Sequence, residues 1–361
     1  MMIRMKHITI YFAALILLLV NSCSKQNDTT APEQFERYIF FSHNVDTKAT
    51  LFDSNSDLKG FKYGVIGFKY PGTWDEYKLT NPKPNVFKGS NNADINVVEV
   101  TCDEDGYGSY SPLQGWSNTL KYTFFAYYPK TNVTLFSVKD GGYETYKGGS
   151  PYISYSLNTT QNDEGQMASL KASMVDLMTG DHGHKDLTSS STNGSVSFIF
   201  RHRMASLGVS VKNITSGTIT LTGLTLNVSG IKYKTIIIPL EGGDTDRLGQ
   251  IRSDSYSAVL SVDVPTGAIS QSITAVELSD KLIFIPQDET LSIALTVNYV
   301  RSVDGYDSQS CSNTINVTVN ELAEGYKYLI PLKFNETTVE VEGKITGGNW
   351  GTTHTVNGSF N

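Results

Sequence analysis

Three cysteines are the residues most open to covalent chemistry, and their surroundings set them apart. Cys23 follows a cationic start at Arg4 and Lys6, an almost unbroken apolar run from Ile8 to Val20, and the small residue Ser22. That order of charge, apolar run and small residue is an export leader. A cysteine directly after the small residue adds a second meaning, an acceptor for acyl chains on its sulfur and, once the leader is cut away, on its amine. The apolar run is short of the ~20 residues a spanning helix needs. Two or three acyl chains, at ~0.8 kcal/mol per buried methylene, would hold the mature chain on a membrane surface. Cys102 and Cys311 have no CxxC neighbour and no nearby histidine pair, which argues against zinc. An exported chain permits a disulfide between them. Their separation along the chain favours two independent thiols, with pairing left open.

The other candidate groups fail one by one. Asp103 and Asp105 precede Gly106 as in a calcium loop, but the twelfth position from Asp103 is Gln114, where such a loop needs a bidentate Glu. A solvated turn is the better reading. Asp181-His182-Gly183-His184 places two histidines in a polar loop with no carboxylate-rich segment to complete a metal site. His202 lies between Arg201 and Arg203 beside a strand and reads as a packed or edge residue. The chain has no GxSxG, HExxH, Walker loop or GxGxxG. A pair of glycosidase carboxylates needs no local motif, yet nothing converges on one. The expectation is therefore no enzyme, no cofactor and no metal. Arg4 and Lys6 leave with the leader, taking the net charge from −7 to −9, and no basic cluster remains. Nucleic acid, which requires concentrated Lys and Arg, is excluded as a partner.

The elements that must carry these groups are strands. Ser24 to Glu33 is polar and aperiodic, so it is a tether. Twenty Tyr and 16 Phe, with abundant Gly, Ser, Thr and Val, favour strands and turns. Tyr38 to Val45 opens the ordered part. Phe61 to Phe68, Val97 to Val100 and the strongly aromatic Tyr122 to Tyr128 follow, the last reading as a central strand ended by Pro129. Ala168 to Met178 fits a helix or a strand. Asp186 to Gly194 has linker composition. Beyond it Val196, Phe198 and Phe200 face one way while Ser197, Ile199 and Arg201 face the other, and strands recur every ~8 to 12 residues, the rhythm of a sandwich or barrel. Tyr233 to Leu240, Leu291 to Val300 and Tyr326 to Phe334 continue it. The chain of 361 residues divides into a leader at 1–22, a tether at 23–36, and two β domains at 37–190 and 191–361.

Several of these pieces together resemble the fimbrillin family, the subunits and adhesins of type V pili. They are Cys23, Thr47-Lys48-Ala49, Phe61 to Val65, Tyr122 to Pro129, Val175 to Met178, Val196 to His202, Leu282 to Gln287 and Ile345 to Trp350. The resemblance implies two transthyretin-like β-sandwich domains in tandem, lipid anchoring in the outer membrane, and a place in the fimbrium at the cell surface. It also implies assembly by strand exchange, in which a protease removes the first strand and a neighbour's C-terminal strand takes its place. The displaceable strand would be Tyr38, Ile39, Phe40, Phe41 and onward to Val45. The family offers an arginine after that strand; here Lys48 stands there, with Arg37, ahead of the strand, as the alternative cut. The donor tail would carry Val356 and Phe360. Partners would be other pilus subunits, the outer membrane through the lipid, and host or bacterial surface receptors. The competing reading is a glycan-binding surface lipoprotein of a polysaccharide uptake system, for which an exposed platform of Trp74, Trp116 and Trp350 is the feature to look for.

Overall fold

The computed structural model describes residues 37–45, 60–89, 94–103, 105, 107–131, 133–139, 142–145, 148–157, 171, 174–181, 184–241, 251–278, 282–343, 345–349 and 354–355. In chain order the strands are β1 (Phe40–Val45), β2 (Lys62–Tyr70), β3 (Val98–Cys102), β4 (Tyr107–Ser109), β5 (Lys121–Tyr128), β6 (Thr134–Lys139), β7 (Gly142–Thr145), β8 (Tyr152–Ser156), β9 (Met178–Gly180), β10 (His184–Leu187) and β11 (Ser195–His202). They continue as β12 (Ala205–Asn213), β13 (Thr218–Pro239), β14 (Ile251–Ser261), β15 (Val276–Glu277), β16 (Leu282–Phe284), β17 (Leu291–Ser302), β18 (Gln309–Val319), β19 (Tyr326–Phe334), β20 (Val339–Val341), β21 (Thr346–Asn349) and β22 (His354–Thr355). The chain is all-β as its composition requires. Two α-helices are single turns, at Trp74–Tyr77 and Ser189–Thr192, each opened by a threonine capping box at Thr73 and Thr188, and Lys171 is also helical.

The first sheet runs β10-β5-β2-β3-β4-β1-β11-β9, and β9 pairs back onto β5. It is thus a closed ring, a different object from the open two-sheet sandwich expected for the first domain. Closure removes the exposed edges that an open sheet would leave. The second sheet runs β15-β12-β19-β21-β22, and the third β18-β17-β13-β8-β6-β7 with β14 on β13. These two face each other across one core, for example Val209 and Ile330 against Leu226 and Leu295.

The strand pairing does not divide at 190/191. β11 joins the first sheet, in parallel with β1, while β8, from the other side of that line, pairs with β13 of the third sheet. The Ser/Thr-rich stretch before Ser195 therefore connects β10 to β11 within one ring, and its linker-like composition reflects a capped helical turn. Two strands tie the two cores together. In β2, Tyr63 and Val65 enter the ring's core, while Ile66, Phe68 and Tyr70 enter the core shared with the other sheets. β5 does the same with Phe124 and Ala126 on one face and Phe125 and Tyr127 on the other. Burial on both faces is why these strands read as continuous apolar runs without alternation.

Two local expectations change. Met174 to Leu177 carry no regular structure and the strand begins only at Met178; most of 168–173 lies outside the described residues. The stretch from Ile219 to Pro239, expected as several strands, is the single strand β13. Its register shifts between Val228 and Ile231, where Gly230 has φ of 87°, a left-handed conformation that glycine adopts without strain. The strand bends there and continues.

Candidate functional site

β1 is an interior strand of the ring. On one side it pairs in parallel with β11, Phe40 opposite Ser195 through Val45 opposite Phe200. On the other it pairs antiparallel with β4, Phe41 opposite Gly108 and Ser42 opposite Tyr107. Just before it the Ile39 amide donates to the Gln114 carbonyl at 2.8 Å, and the Phe40 amide to the Gly194 carbonyl at 3.0 Å. The Trp116 amide closes the other way, onto the Arg37 carbonyl at 3.0 Å. The period of two puts Ile39 and Phe41 in the core, 0% and 1% exposed, and leaves Phe40 at 49%.

Phe41 sits in a cage of rings. Phe198 is stacked on it at 5.9 Å, Phe124 meets it edge-on at 5.4 Å, and Tyr110 and Phe87 stand at 5.4 Å and 6.2 Å. Gly108, opposite it, is a close-approach position: a Cβ there would lie 2.4 Å from Val100 Cγ1 and 3.3 Å from the Phe41 carbonyl oxygen. Tyr110 closes the lower end. Burial pushes its hydroxyl up to about 12, so it stays protonated and donates to the Ile39 carbonyl at 3.0 Å. Arg37 is held outside the core, its guanidinium donating to Asn193 Oδ1 at 2.8 Å.

The other residues singled out above fall elsewhere. Trp74 and Trp116 are 0% and 1% exposed, so neither forms a sugar platform, and Trp350 lies outside the described residues. Cys102 and Cys311 are not joined in a disulfide and belong to different sheets. Burial raises the Cys102 thiol to about 12, and Cys311 is half-buried on β18. Asp103 makes the turn read from sequence, its Oδ1 accepting from the amides of Asp105 and Tyr107 at 3.0 and 2.8 Å. His184 pairs with Asp181 at 3.3 Å. Burial by itself would raise Asp181, but hydrogen bonds from His184 and the Ile199 amide outweigh it and hold the carboxyl below its usual range. His182 is outside the described residues. His202 is buried in β11 with Nδ1 2.8 Å from Asp176. Among the described residues no group of three or more His, Cys, Asp or Glu is placed to hold a metal ion. Cys23, Lys48, Val356 and Phe360 lie outside the described residues, and of Val45 only the backbone is described.

Sequence reasoning missed the walls of the slot, Gly108, Tyr110 and the parallel partner β11. A glycine between Tyr107 and Ser109 was the available signal for a close approach. It also missed Glu241, at the end of β13, which accepts from Lys78 Nζ at 2.8 Å, Ser150 Oγ at 2.5 Å and Lys185 Nζ at 3.1 Å. Burial works against its charge, and these three hydrogen bonds overcome it and bring its carboxyl down to about 2. That group pins the turn after Trp74, the start of β8 and β10 to β13.

A model of the fimbrillin-like family matches residues 77–350, a range that contains both neighbours of β1. A fimbrial protein from Bacteroides vulgatus superposes with a TM-score of 0.59 at 20% identity, over 87% of this chain and 99% of that one. Candidate cell adhesion proteins from Bacteroides uniformis (TM-score 0.45, 14% identity, 87% of this chain and 98% of that one) and Bacteroides ovatus (0.44, 12%, 88% and 98%) are more distant. Among proteins of curated function none matches.

Proposed function

The chain belongs to the fimbrillin-like family, and from that premise we propose that it is a lipid-anchored surface protein serving as a fimbrial subunit or adhesin, built into a pilus by strand exchange. Acylation at Cys23 holds the precursor in the outer membrane. Proteolysis after Lys48 frees β1, whereas the alternative cut at Arg37 releases only the tether, and the strand of another subunit occupies the place that β1 vacates. The tail carrying Val356 and Phe360 is the part this chain offers to a neighbour. The division that goes with this reading is a ring, closed by β11 near His202, and a sandwich built mainly from the strands after it, to which β6, β7 and β8 also belong.

The observation that carries the reading is the position of β1. It has a ladder partner on each side and buries Ile39 and Phe41 completely. Its departure exposes two rows of unpaired N–H and C=O groups together with an apolar slot, which an incoming strand satisfies by β-augmentation. A cut at Arg37 leaves β1 attached to the body, so the Lys48 side is the productive one. The placing in a fimbrium accords with the fimbrial protein from Bacteroides vulgatus whose fold this chain shares.

Mild trypsin treatment of the precursor, with N-terminal sequencing and electron microscopy, tests the proposal. A new terminus at Ala49 accompanied by filaments or subunit complexes is the expected result. A chain that is cut there and retains β1 indefinitely, with no higher assembly in the presence of other subunits, overturns it.

A further inference from the structure

Among the described residues four aromatic side chains stand exposed, and three of them, Tyr38, Phe40 and Tyr107, share the outer face of the ring. From that clustering we infer that the outer face of β1 and β4 is a binding platform for a neutral, β-linked oligosaccharide. The inference goes beyond the strand-exchange reading and does not need it, because the platform is present whenever β1 is in place.

The shared face follows from the register. Ile39 and Phe41 point into the core of the ring, so Tyr38 and Phe40 point out of it by the period of two. Gly108 faces inward, since a Cβ on it would meet Val100 Cγ1 and the Tyr63 hydroxyl. Its neighbours Tyr107 and Ser109 therefore face outward beside β1. Ser42 lies opposite Tyr107, which makes Phe40 the diagonal neighbour of that tyrosine at ~7 Å. Tyr38 stands two residues back along the strand, again at ~7 Å. The backbone beneath the three rings is fixed: β1 has a ladder partner on each side, Tyr38 bridges to Gly115, and the Phe40 amide donates to the Gly194 carbonyl at 3.0 Å. A ligand that lies across them pays little to order its site.

Aromatic residues on neighbouring strands commonly stabilise a sheet by packing on one another. These three do not. Among the described residues none of the three rings contacts another aromatic ring, and neither tyrosine hydroxyl is hydrogen-bonded. Each ring presents an open π face, whose negative charge attracts the weakly positive C–H groups on the flat side of a pyranose. β-Linked hexoses with equatorial substituents keep both broad sides of each sugar ring free of hydroxyls, so successive sugars offer C–H faces to successive aromatic rings. Between the rings stand the exposed serines Ser109, Ser195 and Ser197, whose hydroxyls donate and accept as sugar hydroxyls require. The flanking charges are engaged already: Arg37 donates to Asn193, and Asp103 accepts from the amides of Asp105 and Tyr107. The face thus suits a neutral ligand. Nucleic acid bases also stack on aromatic rings, but their backbone needs concentrated Lys and Arg, and this chain has a net charge of −7. A protein partner calls for a continuous apolar centre, which the serines interrupt.

The test titrates the intact chain calorimetrically with the β-linked hexasaccharides of glucose and of N-acetylglucosamine, and with the hexasaccharide of galacturonic acid as an acidic ligand. Phe40→Ala, Tyr107→Ala and the ring-keeping Phe40→Trp are compared with the parent. Tyr306→Ala is the distant control, since Tyr306 is the fourth exposed aromatic and lies between β17 and β18. At least one neutral sugar is expected to bind, with its affinity reduced ~3–10-fold by each of Phe40→Ala and Tyr107→Ala, kept by Phe40→Trp and unchanged by Tyr306→Ala. The acidic sugar is expected to bind more weakly. No binding of either neutral sugar, tighter binding of the acidic one, or an equal loss with Tyr306→Ala overturns the inference. Self-association of the chain that Tyr107→Ala abolishes gives the face to a protein partner and overturns it as well. Filament formation is read in the protease experiment above, so failure of either reading leaves the other standing.

Discussion

Substituting Phe41 by alanine in the intact chain probes the slot from inside. A buried Phe→Ala change costs about 3–5 kcal/mol through lost transfer energy and the cavity left behind. Phe41 belongs in the upper part of that range because it is 1% exposed and meets four other rings, each such pair adding roughly 0.5–1.5 kcal/mol beyond area burial. Taking about 4 kcal/mol, and a urea m-value of roughly 2–3 kcal/mol/M, the unfolding midpoint falls by roughly 1.3–2 M. Phe40→Ala is the internal comparison: same residue type, adjacent position, 49% exposed, with an expected cost below about 1 kcal/mol. Urea titrations followed by near-UV circular dichroism measure both. If the two variants lose the same stability, or Phe41→Ala loses less than about 1 kcal/mol, then Phe41 is not the anchor of the first strand and the slot argument fails.

Gly108→Ala places a methyl 2.4 Å from Val100 Cγ1; the expected destabilisation is about 1–3 kcal/mol, read in the same titration. Glu241 has its carboxyl brought down to about 2, with burial opposing and the bonds from Lys78, Ser150 and Lys185 prevailing. A lowered folded-state pKa contributes stability above the ordinary glutamate range that is lost as pH falls toward about 2. Glu241→Gln is thus expected to be less stable than the parent at neutral pH and to show a shallower decline on acidification, checked by thermal melts between pH 7 and 2. Burial raises the Cys102 thiol to about 12, so in the native protein a thiol reagent at pH 8 is expected to modify Cys311 first and Cys102 only on unfolding, which peptide mapping of the labelled protein would show.

What the sequence disclosed and what it hid follow from the range of the forces involved. The inward set Val196, Phe198 and Phe200 was readable because alternation is a local property, and those residues are 1%, 0% and 0% exposed. β5 was readable as a central strand because burial on both faces leaves an apolar run. The pairing of Phe40 with Ser195 was not: a parallel ladder between strands this far apart leaves no local trace, and so the 37–190 and 191–361 division followed composition at Asp186 to Gly194 instead of the sheets. The closing pair of the ring, Tyr127 with Thr179 and Tyr128 with Met178, was hidden for the same reason. Of the slot, the strand itself and its alternating Ile39 and Phe41 were legible. The cage was not, since Phe87, Tyr110, Phe124 and Phe198 come from separate segments. Trp74 and Trp116 could be named from sequence only as the test of an exposed platform, because a tryptophan's burial depends on what packs over it, here Phe68 and Phe125 for Trp74 and Tyr122 and Phe124 for Trp116.

Hydrogen exchange at the backbone amides of β4 and β11 is the most direct measurement of whether another strand can take the place of β1. The amides of residues 107–109 and 195–200 are compared in three states: intact, with β1 cleaved and removed, and with β1 replaced by an added strand. The account expects protection in the intact chain, its loss on both walls when β1 is removed, and its return on both walls with the replacement strand bound. Protection that is unchanged by removal of β1, or that never returns, would contradict it.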